Sequence, residues 1–279
     1  METTFLAALF ALSAAVAWGS GDFTNGLVTR RIGPFRTVLL SYAVGLVALV
    51  IVALARGETL PPPIDLMWGA LAGLSGMVGL GFLFRGFAGG RMGIVAPVSA
   101  VLTAALPVGF AALAEGLPRT VQLIGFGFGL VSIWLLSRPD PLGGRPAGLG
   151  MALLAGLGFG GFFTLIDQVG ANAVFWPLVA GRVSACTVML VFALFARRSI
   201  VPPRASAGLL VVGGMLDVSG NLFFLLAVQS GRLDVASILA SFYPAVTALW
   251  AGLIVREHLA RLQMVGIAGA LFAIILITT

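Results

Sequence analysis

The chain contains no lysine, a single histidine (His258) and a single cysteine (Cys186), and each shortage closes off a class of chemistry. Without lysine there is no phosphate-cradling Lys loop, so an ATP-driven pump is not supported. One histidine cannot supply the two-histidine metal motif of a membrane metalloprotease, and no dinucleotide fingerprint is present. The sequence therefore implies no bound cofactor and no metal. One cysteine within an apolar run can form neither an intramolecular disulfide nor a thiolate cluster, and it reads as packing. Charge is also scarce, at 9% of 279 residues against a soluble average of roughly 25%. A soluble domain of this length needs a charged surface that this chain cannot build. The formal charge of +6 comes from sixteen arginines that punctuate apolar segments in groups of one to three. A nucleic-acid binder would cluster them on one face among polar neighbours, so no nucleic-acid partner is expected.

What remains is an apolar chain, 59% hydrophobic with a mean hydropathy of +1.10. A helical span needs about 20 mostly apolar residues. Cutting the sequence at its Arg, Pro and Asp clusters gives ten, near 4–28, 37–55, 66–88, 93–114, 120–137, 147–168, 173–196, 207–229, 234–255 and 262–279. The runs are continuous and do not alternate every second residue, so they read as helices and not as barrel strands. The 38 glycines lie inside these runs, where they let helices approach closely. Residues 1–10 have no basic region and no small-residue cleavage site, so the first segment reads as a retained span. The expected fold class is all-α, a polytopic protein whose solvent is the lipid bilayer.

An offset of 141 residues superposes the chain on itself. Ala55, Arg56, Pro61, Pro62, Gly73, Gly79, Phe82, Gly90 and Arg91 match Ala196, Arg197, Pro202, Pro203, Gly214, Gly220, Phe223, Gly231 and Arg232 without a gap. The expected units are residues 1–140 and 141–279, five helices each. Because five is odd, the second copy enters the membrane from the opposite side, as in the inverted repeats of many secondary transporters. Two oppositely oriented halves can close one mouth while opening the other; the alternative is a duplication kept for stability alone.

Both halves end alike, with Glu115-x6-Gln122-x2-Gly125 and Glu257-x5-Gln263-x2-Gly266 before the last span. Together with Trp18-Gly19-Ser20, Arg182 five residues after Pro177, and Tyr243-Pro244 thirteen residues before Glu257, these motifs make the chain resemble the EamA-type branch of the drug/metabolite transporter superfamily. The resemblance covers essentially the whole chain. One departure is Pro107, only eight residues before Glu115, which predicts a different bend in the fourth span. The resemblance implies a secondary carrier of the bacterial inner (plasma) membrane, commonly an exporter of amino acids, related metabolites or drug-like compounds. Its partners would be a small-molecule solute, the lipid bilayer and a possible coupling proton. It also implies cytoplasmic termini. The arginine count points the other way, with twelve in connections after odd-numbered spans, counting Arg85, and three after even-numbered ones.

Ionisable groups inside spans cost at least ~2.5–3.5 kcal/mol each, so those retained are site candidates. Arg182 and Asp217 fall near the middle of antiparallel neighbours and should pair, either to lock two helices or to bind substrate or a proton. Asn221, one turn beyond Asp217, shares its face. Asp22 and Arg85 approach one membrane face and offer a second pair or gate; the alternative is snorkelling of Arg85 and a local turn around Asp22. Asp167 reads as interfacial. Trp18, Trp176, Tyr243 and several phenylalanines are candidates to line an apolar cavity, or else to face lipid or mark the interface. Pro97, Pro107 and Pro244 could turn backbone carbonyls toward it. Two rivals remain. Gly73-Leu74-Ser75-Gly76 echoes an intramembrane serine protease, but its only available base is His258, in a turn; the other rival is a non-transporting scaffold. A channel would need rings of charge or filter carbonyls, and neither is seen in the sequence.

Overall fold

The computed structural model describes residues 2–88, 92–114, 116–136, 149–197, 200–201, 204–255 and 261–278. Its elements are helices α1 (Glu2–Ile32), α2 (Pro34–Ala55), α3 (Pro63–Ala88), α4 (Met92–Ala114), α5 (Thr120–Leu136), α6 (Leu149–Ile166), α7 (Phe175–Phe195), α8 (Ala207–Ser230), α9 (Leu233–Ala240), α10 (Tyr243–Trp250) and α11 (Arg261–Thr278), with no strand among the described residues. Glu115, Glu257, His258, Arg256, Gly90, Arg91, Pro202, Pro203 and the junction at 140–141 lie outside them.

Each expected span meets a helix, with two differences. α1 runs four residues past the expected limit, through Arg30 and Arg31, because arginine stems follow the helix while their heads reach outward. It stops only at Gly33, whose φ of 85° ends the helix and lets Pro34 start the next. The ninth span is broken at Ser241–Phe242 into α9 and α10, just before Pro244, which has no N–H to continue the ladder. α4 stays continuous through Pro107, so the halves bend differently at the place where their prolines differ.

Among the described residues six helical stretches are long and apolar enough to cross a membrane: Phe5–Ile32, Pro34–Ala55, Pro63–Gly86, Phe175–Phe195, Ala207–Ser230 and Leu233–Ile254. Ser99–Ala114, Thr120–Leu135 and Gly150–Ile166 are apolar but shorter. Large apolar side chains such as Val47, Ile51, Leu113, Leu194 and Phe195 point outward, while the interior combines many alanines with large buried side chains such as Phe84, Phe224 and Ile133. Lipid tails are as apolar as leucine, so what holds such helices together is close packing by small residues and interhelical hydrogen bonds. Ala8, Ala11 and Ala15 form the buried stripe of α1, and Cys186 is buried as packing.

Helix neighbours repeat under exchange of the two halves. α1 lies along α8 as α3 lies along α6, α3 meets α7 as α2 meets α8, and α5 pairs with α11. The matched glycines explain themselves in these contacts. A Cβ on Gly79 would strike Phe159 of α6, and one on Gly220 would strike Trp18 of α1. Phe159 and Trp18 are themselves 141 residues apart. Gly73 likewise meets the backbone of Gly181 on α7, while its counterpart Gly214 meets Ser41 and Val44 on α2.

One end of the bundle, where α2 and α8 finish and α3 and α7 start, is tied across the halves. The Glu58 carboxylate accepts from the backbone N–H groups of Val174 at 2.7 Å and Phe175 at 2.9 Å, at the N-terminus of α7. A carboxylate there also complements the helix dipole. Asp65 Oδ1 accepts from Gly170 N at 2.9 Å, and Gln229 Nε2 donates to the Gly170 and Ala173 carbonyls. Arg232 Nη2 donates to the Gly116 carbonyl at 2.9 Å. Gln122 Oε1 accepts from Arg119 N at 3.2 Å, a reach back to the cap of α5 that gives the repeated Gln-x2-Gly turn a local role.

Candidate functional site

At the centre of the bundle Arg182 of α7 is buried, and its Nη2 donates to Asp217 Oδ2 of α8 at 2.5 Å. The guanidinium carbon lies 4.0 Å from the ring centroid of Tyr42 on α2, a cation–π contact that a low-polarity interior strengthens. Nη1 is buried without a hydrogen-bond partner among the described residues. That is an incomplete arrangement for a charged group, since a buried donor left unmade costs ~1–3 kcal/mol or more.

Asp217 opens onto a central cavity of about 50 Å³, to which seven elements contribute: Trp18 and Asp22 from α1, Tyr42 from α2, Gly76 and Leu80 from α3, Thr103 from α4, Phe159, Phe162 and Phe163 from α6, Asp217 and Asn221 from α8, and Tyr243 at the head of α10. A smaller cavity alongside shares Tyr42, Phe162 and Asn221 and is also lined by Arg182. The walls are aromatic: Trp18 stacks on Phe163 with ring centroids 5.5 Å apart, and Phe163 on Phe224 at 4.0 Å. The polar groups are few and fixed. Trp18 Nε1 donates to Asn221 Oδ1 at 2.9 Å, which orients the amide, and Thr103 Oγ1 is held by the Ser99 carbonyl at 2.7 Å. Asp22 makes no ion pair among the described residues.

Helix breaking places Tyr243. The Ser241–Phe242 break frees the start of α10, and Thr247 Oγ1 donates to the Gly19 carbonyl at 3.0 Å and to the Tyr243 carbonyl at 3.2 Å. Gly19 must lack a side chain, because a Cβ would lie 2.5 Å from the Tyr243 carbonyl oxygen. Ser20 Oγ accepts from Trp250 Nε1 at 2.8 Å. Thus Trp18, Gly19 and Ser20 dock α1 onto α8 and α10, one contact per residue.

Five of the eight expected site residues line the cavity directly, namely Trp18, Asp22, Asp217, Asn221 and Tyr243, and Arg182 joins them through Asp217. Arg85 and Trp176 do not. Arg85 is exposed and lines a separate groove, so it makes no pair with Asp22. Trp176 sits at the first turn of α7 and donates its Nε1 to the Glu58 carbonyl at 2.8 Å, as part of the end ties. Asp167 follows the end of α6 and accepts from Gln168, in line with an interfacial place. Tyr42 went unpredicted, and phenylalanines were expected in the cavity wall without being singled out by number. A usable signal for Tyr42 was its rarity: the chain has two tyrosines, both inside apolar spans, and both line the cavity.

Ser75 is committed elsewhere. Its Oγ donates to the Gly158 carbonyl at 2.8 Å and pins α3 to α6. Ser75→Ala is expected to cost about 1 kcal/mol of stability, read as a small fall in melting temperature; an unchanged melting temperature would mean that this bond does not hold α3 to α6.

An all-helical bundle with exchange-related halves, lipid-facing apolar surfaces and polar groups gathered at its middle is an integral membrane protein. The family model of the EamA-like transporter family matches residues 5–138 and again 146–279, so the chain belongs to that family and carries two of its repeats. Its members are membrane transporters and not enzymes. A solved structure titled only "Crystal structure of protein" is similar in fold, with TM-score 0.74 and 18% identity over 97% of this chain and 95% of its own. No curated protein matches the chain.

Proposed function

We propose that the protein is a secondary carrier that exports a small metabolite, such as an amino acid or a drug-like compound, by alternating access around the central cavity. Ten spans would form two units, residues 1–140 and 141–279, inserted in opposite senses in a bacterial inner membrane. The helix contacts that repeat under exchange of the halves support this arrangement, since rocking one half against the other requires such equivalent surfaces.

The observation that carries the proposal is the Arg182–Asp217 pair, in which Arg182 Nη1 has no hydrogen-bond partner among the described residues and lies beside an aromatic cavity. A solute carboxylate or carbonyl would complete that guanidinium, Asp22 would take an amine or a coupling proton, and the aromatic walls would cover an apolar side chain. At about 50 Å³ the cavity holds a few waters, far below the ~300–1,000 Å³ of ligand pockets, so a solute enters only as the halves move apart.

The test is uptake of labelled amino acids and a fluorescent drug panel into proteoliposomes, with and without an imposed proton gradient. Saturable, protein-dependent flux is expected. Asp22→Asn is expected to lose stimulation by the gradient while keeping solute exchange. Absence of protein-dependent flux across the panel would end the carrier reading, and equal gradient stimulation in wild type and Asp22→Asn would remove Asp22 from coupling.

A further inference from the structure

α3 presents two faces with different neighbours. Gly76 and Leu80 border the central cavity, while Val78, Gly81 and Arg85 border a groove of about 830 Å³ on its other side. That groove runs between α3, α7 and the α1–α2 junction. Its floor is apolar and faces outward: Val78 is 40%, Val188 46% and Phe192 52% exposed. Phe35 closes one side, its ring centroid 5.5 Å from that of Phe192. The rim carries Arg36 and Arg85, beside the first turn of α2, which no side chain caps.

We propose that this groove binds an anionic phospholipid, with the phosphate at Arg36 and Arg85 and an acyl chain along Val78, Val188 and Phe192. Two features fix the occupant. An apolar trough open to the bilayer is filled by lipid, since water gains nothing there. Two arginines at its mouth then select headgroup charge, with the uncapped start of α2 adding a favourable dipole end. A small soluble anion would use the rim but leave the trough without purpose. Nothing in this assignment depends on the transported solute.

The test is native mass spectrometry of the detergent-solubilised full chain, titrated with phosphatidylglycerol, with phosphatidylcholine of the same acyl chains, and with glycerol phosphate. Wild type is expected to retain phosphatidylglycerol over phosphatidylcholine by at least about tenfold. Arg36→Gln and Arg85→Gln should each reduce that preference roughly fivefold, the factor for one cationic side chain near an anionic surface. Arg56→Gln, at the opposite end of α2, should leave it unchanged. Arg85→Lys keeps the charge and should keep most of the preference, which separates headgroup recognition from a packing defect. Equal retention of the two lipids by wild type overturns the assignment. So does a preference that survives both Gln substitutions, an equal loss in Arg85→Lys and Arg85→Gln, or displacement of the lipid by glycerol phosphate.

Discussion

Asp217→Asn is expected to abolish solute flux in proteoliposomes, by roughly 100-fold or more, while the protein still inserts and extracts as a folded monodisperse species. The carboxylate is the counter-charge of a buried guanidinium at 2.5 Å. Its neutralisation leaves Arg182 with the Tyr42 ring as its remaining neighbour of note, and removing one member of a buried pair costs about 3–5 kcal/mol. Arg182→Ala should do the same to flux from the other side. A purely structural pair and a solute-binding pair predict different rescues. Arg182→Met combined with Asp217→Leu removes both charges, and replacing buried pairs with apolar groups often restores stability. If the pair only locks helices, flux returns with the melting temperature. If it binds solute, melting recovers and flux stays lost, which is the outcome expected here. Unchanged flux in either purified single variant would remove that residue from the site.

The second large effect falls on the fold. Gly73→Val places a branched side chain where the backbone of Gly181 already sits. Flexible side chains can move aside for a new methyl group, but a helix backbone cannot, so the substitution forces α3 off α7 and should cost about 3 kcal/mol or more. The expected reading is a melting temperature lower by on the order of 10 °C, or no folded protein recovered. Gly127→Ala on α5 is the control. Nothing lies within 4 Å of a Cβ there, and helix propensity favours alanine by ~0.8–1.0 kcal/mol. Equal loss in both variants would mean that close approach at Gly73 is not what holds the bundle.

Position along each helix was legible in the sequence, and rotation about it was not. Arg182 and Asp217 could be matched because both sit mid-span on antiparallel neighbours, and Asn221 followed from its four-residue spacing. Arg85 and Trp176 lie away from the cavity for separate geometric reasons. Arg85 is nine residues beyond Gly76, about two and a half helical turns, which puts it on the opposite side of α3 from the cavity. Trp176 shares its helix with Arg182 but lies six residues away, about 9 Å along the axis, in the end ties. These helices are apolar nearly all round, so no polar stripe tells which face turns inward. Tyr42 and the particular α6 phenylalanines were lost in the same uniformity. The repeat itself was visible as matching glycines, but their meaning came only from the contacts, where Gly79 receives Phe159 and Gly220 receives Trp18.

Glu58 and Asp65, which grip the α6–α7 connection, correspond across the 141-residue offset to Ser199 and Ser206. The duplicated sequence therefore repeats the glycines of its scaffold but not the two carboxylates that fasten this end, and an ionised acceptor holds amides roughly twice as strongly as a neutral one. In the proposed carrier, such an imbalance would make one resting pose deeper than the other. Under the proposed mechanism it would leave the sense of net flow to the gradients and set where the unloaded machine waits.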